Sequence, residues 1–151
     1  MMILVDTTVW IDFFAARPIA HVEALENLIN DREDICICGI ILAEVLQGIR
    51  KDSEFQKVRE LFNNLIFLPM HYPVFLKSAE IFRKLRRKGI TIRKSMDCMI
   101  ASVAIENDVP ILHNDKDFQP IEKHCSLKVL SLTEKRKFIF EEDGIGHLGH
   151  G

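Results

Sequence analysis

Met1-Met2-Ile3-Leu4-Val5-Asp6-Thr7-Thr8-Val9-Trp10 opens the chain, and the change of character at Asp6 decides how the rest is read. Apolar residues running on without alternation suit a short strand buried on both faces, as in a parallel sheet covered by helices. Asp6 ends that strand in a polar position, and Val9 to Ala16 then has a helical pattern. The same strand-to-helix change recurs along the chain. Ile19 to Asn30 reads as a helix, with Pro18 placed where one can begin. Ile35 to Cys38 is a second strand, released at Gly39 into a helix from about Ile40 to Arg50 with Ile41, Val45 and Ile49 on one stripe. Ser53 followed by Gln56 is a capping-box pattern for the next helix. Leu65 to Pro69 is strand-like, and Pro73 to Lys88 reads as a longer helix stopped by Gly89. Ser95 is placed to cap a helix from Met96 to Asn107, and Pro110 to His113 and Leu127 to Leu132 complete about five strands. Such alternation implies an α/β fold with a mostly parallel sheet covered on both faces. Ligands of such sheets gather outside the carboxyl ends of the strands.

The chain has 151 residues, enough for one domain that buries roughly 70% of its unfolded surface. With 48% hydrophobic and 28% charged residues it reads as an ordinary globular protein. We place the domain at residues 1–132 and a C-terminal extension with a glycine-rich tail at 133–151, where His147 and His150 read as solvated polar residues. Met1 to Val5 lacks a basic residue, and the apolar run Ile35 to Leu46 contains Glu44 and is shorter than the roughly 20 residues of a membrane span. The expectation is a cytoplasmic protein without membrane attachment. Cys36, Cys38, Cys98 and Cys125 make no disulfide framework and read as reduced thiols rather than a zinc site.

Several acids interrupt apolar surroundings, where an unpaired charge is expensive. Asp6 follows the first strand, Glu44 stands inside Leu42-Ala43-Glu44-Val45-Leu46, and Asp97 opens an apolar helix. Asp115 and Asp117 follow the strand ending at His113. Few basic residues adjoin them in sequence, so a hard divalent cation held by carboxylate oxygens, Mg²⁺ above all, is the expected compensation. Each acid alone also has a structural use: Asp6 and Asp97 as helix N-terminal charges, Asp115 and Asp117 in an Asx turn. Together, four acids from four elements meeting at one sheet edge point to a site.

On these residues the chain resembles the PIN-domain ribonucleases, and among them the VapC toxins of toxin–antitoxin pairs. The resemblance is carried by Val5-Asp6-Thr7-Thr8-Val9-Trp10-Ile11-Asp12, Leu42-Ala43-Glu44-Val45-Leu46-Gln47-Gly48, Thr91-Ile92-Arg93-Lys94-Ser95-Met96-Asp97-Cys98-Met99-Ile100-Ala101 and Leu112-His113-Asn114-Asp115-Lys116-Asp117-Phe118. It implies a PIN-like three-layer α/β/α fold over residues 1–132. It also implies Mg²⁺-dependent (or Mn²⁺-dependent) endoribonuclease chemistry. The family's acids fall on Asp6, Glu44, Asp97 and Asp115 as metal and catalytic residues, with Asp117 a further contributor, and its small hydroxyl residue falls on Thr8, which would orient Asp6. Carboxylate-held metal lowers the pKa of a bound water so that hydroxide attacks phosphorus in line, leaving 5′-phosphate and 3′-hydroxyl ends. The resemblance further implies a homodimer and a small VapB-like antitoxin. Trp10, Phe13 and Phe14 are candidates for the antitoxin contact, with core packing the competing use.

The net charge of −2 speaks against a nucleic-acid partner only as an average. Residues 1–82 are net −5, residues 83–94 net +7 and residues 95–151 net −4. Within that basic stretch, which contains no acid, Arg86, Arg87, Lys88, Arg93 and Lys94 are the expected RNA contacts, competing with a plain solvated helix face. Arg50 and Lys51 extend the track. A haloacid-dehalogenase-type phosphatase would need an Asp where Thr8 stands, and a receiver domain has no use for Glu44. The remaining alternatives are an RNA-processing nuclease without a toxin role and a PIN module that binds RNA or a partner without cleaving.

Overall fold

The computed structural model describes residues 1–132; the predicted extension 133–151, with His147 and His150, lies outside the described residues. Four parallel strands form one sheet in the order β3-β2-β1-β4: β1 (Met2–Val5), β2 (Asp34–Cys38), β3 (Ile66–Leu68) and β4 (Ile111–Leu112). Register is set by the pairs Ile3 with Ile35, Cys36 with Ile66 and Leu4 with Ile111. Consecutive residues Ile3, Leu4 and Val5 are all fully buried, which requires helices on both faces of β1.

The chain winds from β1 through α1 (Thr7–Phe14) and α2 (Ala20–Asn30) to β2, then through α3 (Gly39–Gln47) and α4 (Asp52–Asn63) to β3. It returns across the sheet through α5 (Tyr72–Arg87) and α6 (Ser95–Glu106) to β4 on the other side of β1. Because parallel crossovers are right-handed, that reversal puts the returning helices on the opposite face. The packing agrees, α1 lying against α2 and α3, α3 against α4, and α5 against α6 and α7 (Gln119–His124). The winding therefore changes direction between β1 and β4, and a crevice opens at the carboxyl ends of those two strands.

Three expectations change in detail. The fifth strand reduces to a single bridge between Ile111 and Val129. Ser53 and Ser95 are not caps: α4 begins at Asp52 and α6 at Ser95 itself, after Lys51 and Lys94, neither of which caps its helix through its side chain. The first helix starts at Thr7 rather than Val9, because the Asp6 carboxylate caps it by accepting from the Thr8 amide. Helix α5 follows its sequence closely, with Val74, Ser78, Ile81 and Leu85 buried along one stripe, and Lys84, Arg86 and Arg87 in a last turn that favours cations. Gly89, at φ +78°, turns the chain out of it in a conformation that only glycine adopts freely. Helix α6 is buried almost all round, from Asp97 to Ala104, so its first turn delivers a carboxylate into the interior edge of the crevice.

Candidate metal centre

Asp6, 3% exposed, sits at the carboxyl end of β1. Its Oδ2 accepts from the Thr8 hydroxyl at 2.7 Å and the Thr8 amide at 3.1 Å. The Thr8 hydroxyl oxygen in turn accepts from the Asn114 amide at 3.1 Å, tying the loop after β4 to the start of α1. Thr8 thus makes the hydrogen bond expected of it. Burial pushes the Asp6 carboxyl above its ordinary range; hydrogen bonds from Thr8 and Thr7 oppose the rise and the nearby Glu44 charge adds to it. Glu44, half-buried on α3, accepts at Oε1 from the Thr7 hydroxyl at 2.7 Å. Adjacent threonines therefore hold two acids from different elements.

Asp97 is the most exceptional group. It is 6% exposed, and its Oδ2 is buried with no hydrogen-bond partner. Burial pushes its pKa to about 7; Lys94 opposes the rise, while Asp115, Asp6 and Asp117 add to it. An orphaned carboxylate oxygen costs about 1–3 kcal/mol or more unless something satisfies it. Asp115 caps a 3-10 turn, Lys116–Phe118, that contains Asp117, its Oδ1 accepting from the Asp117 amide at 2.9 Å. The Asx-turn use is therefore realised, and it leaves Asp115 Oδ2 to pair with Lys94. The Asp115 amide donates to His113 Nδ1 at 3.1 Å, which places the proton of the neutral imidazole on Nε2. One oxygen each of Asp97, Asp115 and Asp117 lie within 4.8 Å of one another. Oxygens that close together could be shared by one hard divalent cation. Asp6 joins this group electrostatically through Asp97, and Glu44 through Asp6.

The expectation that few cations adjoin these acids is corrected. Lys94 Nζ lies 2.9 Å from Asp115 Oδ2 and 3.9 Å from Asp97 Oδ2, and Arg93 is within 3.3 Å of both Asp117 oxygens. Lys94 stands only three residues before Asp97, but Asp115 and Asp117 are 21 and 24 residues from their cations, so sequence adjacency could not reveal those two pairs. Against the upward pull of burial, the Asp117 amide and Lys94 hold the Asp115 carboxyl below its ordinary range. At 3.9 Å Lys94 makes no hydrogen bond to Asp97, whose Oδ2 stays orphaned. An all-oxygen donor set with an unsatisfied buried carboxylate fits a hard divalent cation.

Arg83, Lys84, Arg86, Arg87 and Lys88 are exposed on and just beyond α5, with the Arg86 guanidinium 5.7 Å from the Phe82 ring centre. Arg50 and Lys51 are exposed beyond α3. Trp10 is fully buried against Phe13, Phe14 and Phe62, so it is unavailable as a partner contact; Phe14 is exposed and Phe13 partly so. The four cysteines are free thiols. Among the described residues no helix is long and apolar enough to cross a membrane. Sequence reasoning missed Thr7, His113 and Asn114. Thr7 beside Thr8 was the one visible signal, but its partner Glu44 is 37 residues away.

Residues 3–123 match the PIN-domain family model. The chain is 36% identical over 132 residues to Ribonuclease VapC11 of Mycobacterium tuberculosis, an alignment covering 86% of this chain and 98% of the relative. In fold it is similar to VapBC2 from Rickettsia felis bound to a promoter DNA fragment, with TM-score 0.68, 22% identity and coverage of 86% and 98%. It is similar also to a toxin-antitoxin complex from Klebsiella pneumoniae, with TM-score 0.65, 22% identity and coverage of 85% and 96%.

Proposed function

The chain belongs to the PIN-domain family, and from that premise we propose that it is a VapC-type endoribonuclease, dependent on Mg²⁺ or Mn²⁺, acting as the toxin of a toxin–antitoxin pair. The observation that carries the chemistry is the orphaned, buried Asp97 oxygen among the carboxylates of Asp115 and Asp117. Asp6, Asp97, Asp115 and Asp117 would hold the cation, with Glu44 reaching it directly or through water. Bound there, a divalent ion supplies an activated water and neutralises charge developing on the phosphoryl oxygens.

The chain's own residues do the rest. Thr8 fixes the Asp6 carboxylate, and Thr7 fixes that of Glu44, so neither acid has to reorganise as charge moves. The His113 ring and the Asp117 amide lock the loop bearing Asp115. Arg93 and Lys94, exposed at their tips, meet the carboxylates in the free protein and turn to the phosphates of a bound strand. Arg86, Arg87 and Lys88 continue that positive surface away from the site, drawing a polyanion towards an otherwise acidic crevice.

A ribonuclease relative covered over nearly its full length favours cleavage over a module that only binds. The toxin reading rests on that relative's VapC name and on the fold shared with a toxin-antitoxin complex. It extends to a small VapB-like antitoxin, a homodimer and a cytoplasmic location. The purified protein should cut single-stranded RNA in Mg²⁺, with EDTA stopping cleavage and Asp6→Asn abolishing it while leaving the circular dichroism spectrum intact. Expression in a bacterial host should arrest growth, and Asp6→Asn should relieve the arrest. Undiminished cleavage by Asp6→Asn would sink the assignment.

A further inference from the structure

A cleft of about 390 Å³ begins at the candidate metal centre and runs away from it between the segment after Gly89 and α7. It shares Arg93 and Asp117 with the centre, so the two are one continuous surface. Its volume lies at the lower end of the range typical of small-ligand sites, roughly 300–1,000 Å³. The floor is apolar, from Ile90, the buried Ile92 and Pro120. Thr91 and Gln119 add hydrogen-bonding groups, and Lys116, Lys123 and His124 stand at the rim.

Charge around this cleft is one-sided. Asp117 is the one acid among its described lining residues, and Arg93 already pairs with it. Lys116 and Lys123 are exposed and form no ion pair among the described residues, although Asp115 and Asp117 stand on either side of Lys116 and Glu122 precedes Lys123. From α5 and its end, Lys84 and Lys88 act together with Lys123 on the His124 imidazole, which desolvation and these charges hold below its ordinary range. The basic helix and α7 therefore converge on the outer wall of the cleft. Exposed cations held together without counter-charges repel one another, and they are retained most readily where an anion relieves the repulsion. An apolar floor with polar groups and a cationic rim matches one nucleotide of a single strand, its base against the floor and its phosphates between the lysines.

We propose that this cleft is a nucleotide subsite for the RNA strand next to the scissile phosphate, with Lys116 and Lys123 as its phosphate contacts. The proposal rests on the ribonuclease reading and adds to it the residues that position the substrate. Lys116 and Lys123 each bind one of the two flanking phosphates, Ile92 and Pro120 carry the base, and Thr91 and Gln119 face its edge. The chemistry at the carboxylates is left to the metal centre, so losses here should fall on binding rather than on turnover.

The test uses Asp6→Asn protein, which should bind RNA without cutting it, and a fluorescein-labelled single-stranded oligoribonucleotide. Adding Lys116→Ala and Lys123→Ala together should raise Kd on the order of 10-fold. The slope of log K against log salt should fall by about 1.4, at about 0.7 for each phosphate no longer neutralised. Lys57→Ala with Arg59→Ala, both exposed on α4, serves as the charge-matched control and should change neither. In the active protein the double variant should raise KM about 10-fold with kcat within about 2-fold. A 4-thiouridine placed beside the cleavage position should crosslink to the peptide 116–124. If the wild type cuts RNA but the double variant matches it in Kd, salt slope and KM, or the crosslink maps elsewhere, the subsite is overturned and the nuclease reading stands. If the wild type neither binds nor cuts RNA, both fall together.

Discussion

At pH 8, replacing Asp97 with asparagine should stabilise the metal-free protein at the same time as it removes activity. Asp97 is buried, its Oδ2 lacks a partner, and its pKa is raised from 3.8 to about 7. Between those values the folded state holds a proton that the unfolded state has released. Stability is therefore greatest, as far as this group is concerned, below pH 3.8, and it falls as pH rises until the carboxyl is ionised in both states above pH 7. The rise in pKa corresponds to about 4 kcal/mol at 1.36 kcal/mol per tenfold change. An asparagine amide in the same place still lacks partners, which returns about 1–3 kcal/mol of that gain. The expected net effect at pH 8 is about 1–3 kcal/mol in favour of the variant, or roughly 3–10 °C in Tm for a chain of this size. Thermal melts of both proteins in EDTA between pH 4 and 8 measure it. The variant should be the less stable by about 1–3 kcal/mol at pH 4, where only the amide penalty acts, and the difference should reverse sign on the way to pH 8; subtraction removes the opposite trend of Asp115, whose lowered pKa adds stability as pH rises. Saturating Mg²⁺ should then stabilise the wild type by mass action and the variant much less. A variant less stable than wild type at pH 8, or a difference that ignores pH, would refute the reasoning.

Three further outcomes follow from the same geometry. Thr8→Val should leave the fold intact and lower cleavage on the order of 10-fold, since Asp6 loses its orienting hydroxyl, and Thr8→Ser should restore most of it. Lys94→Ala should tighten Mn²⁺ binding on the order of 5-fold by removing a charge that competes for Asp115, read by electron paramagnetic resonance, and should raise KM for RNA. Charge reversal at Arg86 and Arg87 should weaken RNA binding and flatten its salt dependence; an unchanged slope would leave that face merely solvated.

The fold was legible where local chemistry and tertiary structure agree. An apolar run ending in an acid marks β1 and the start of α1, and Gly89 marks the end of α5. The serine caps failed because Asp52 and Ser95 already lie inside their helices, their preceding lysines standing at the caps. The last strand shrank to one bridge, since apolar residues 127–132 need only a short pairing to pack against the sheet. At the site, the acids were visible because a carboxylate in apolar company needs an explanation. Their partners were not. Lys94 and Arg93 reach Asp115 and Asp117 across more than twenty residues, and His113 acts through a ring nitrogen on a backbone amide, which leaves no trace in spacing. The cleft beside the centre was hidden for the same reason, being built from two segments brought together by the fold.

If these carboxylates hold a divalent ion that hydrolyses RNA, the ends of the product carry its signature. A labelled RNA incubated with the protein in Mg²⁺ should yield 5′-phosphate and 3′-hydroxyl termini, and EDTA should prevent their appearance. Cleavage that persists in EDTA, or that leaves 2′,3′-cyclic phosphate ends, would contradict the account.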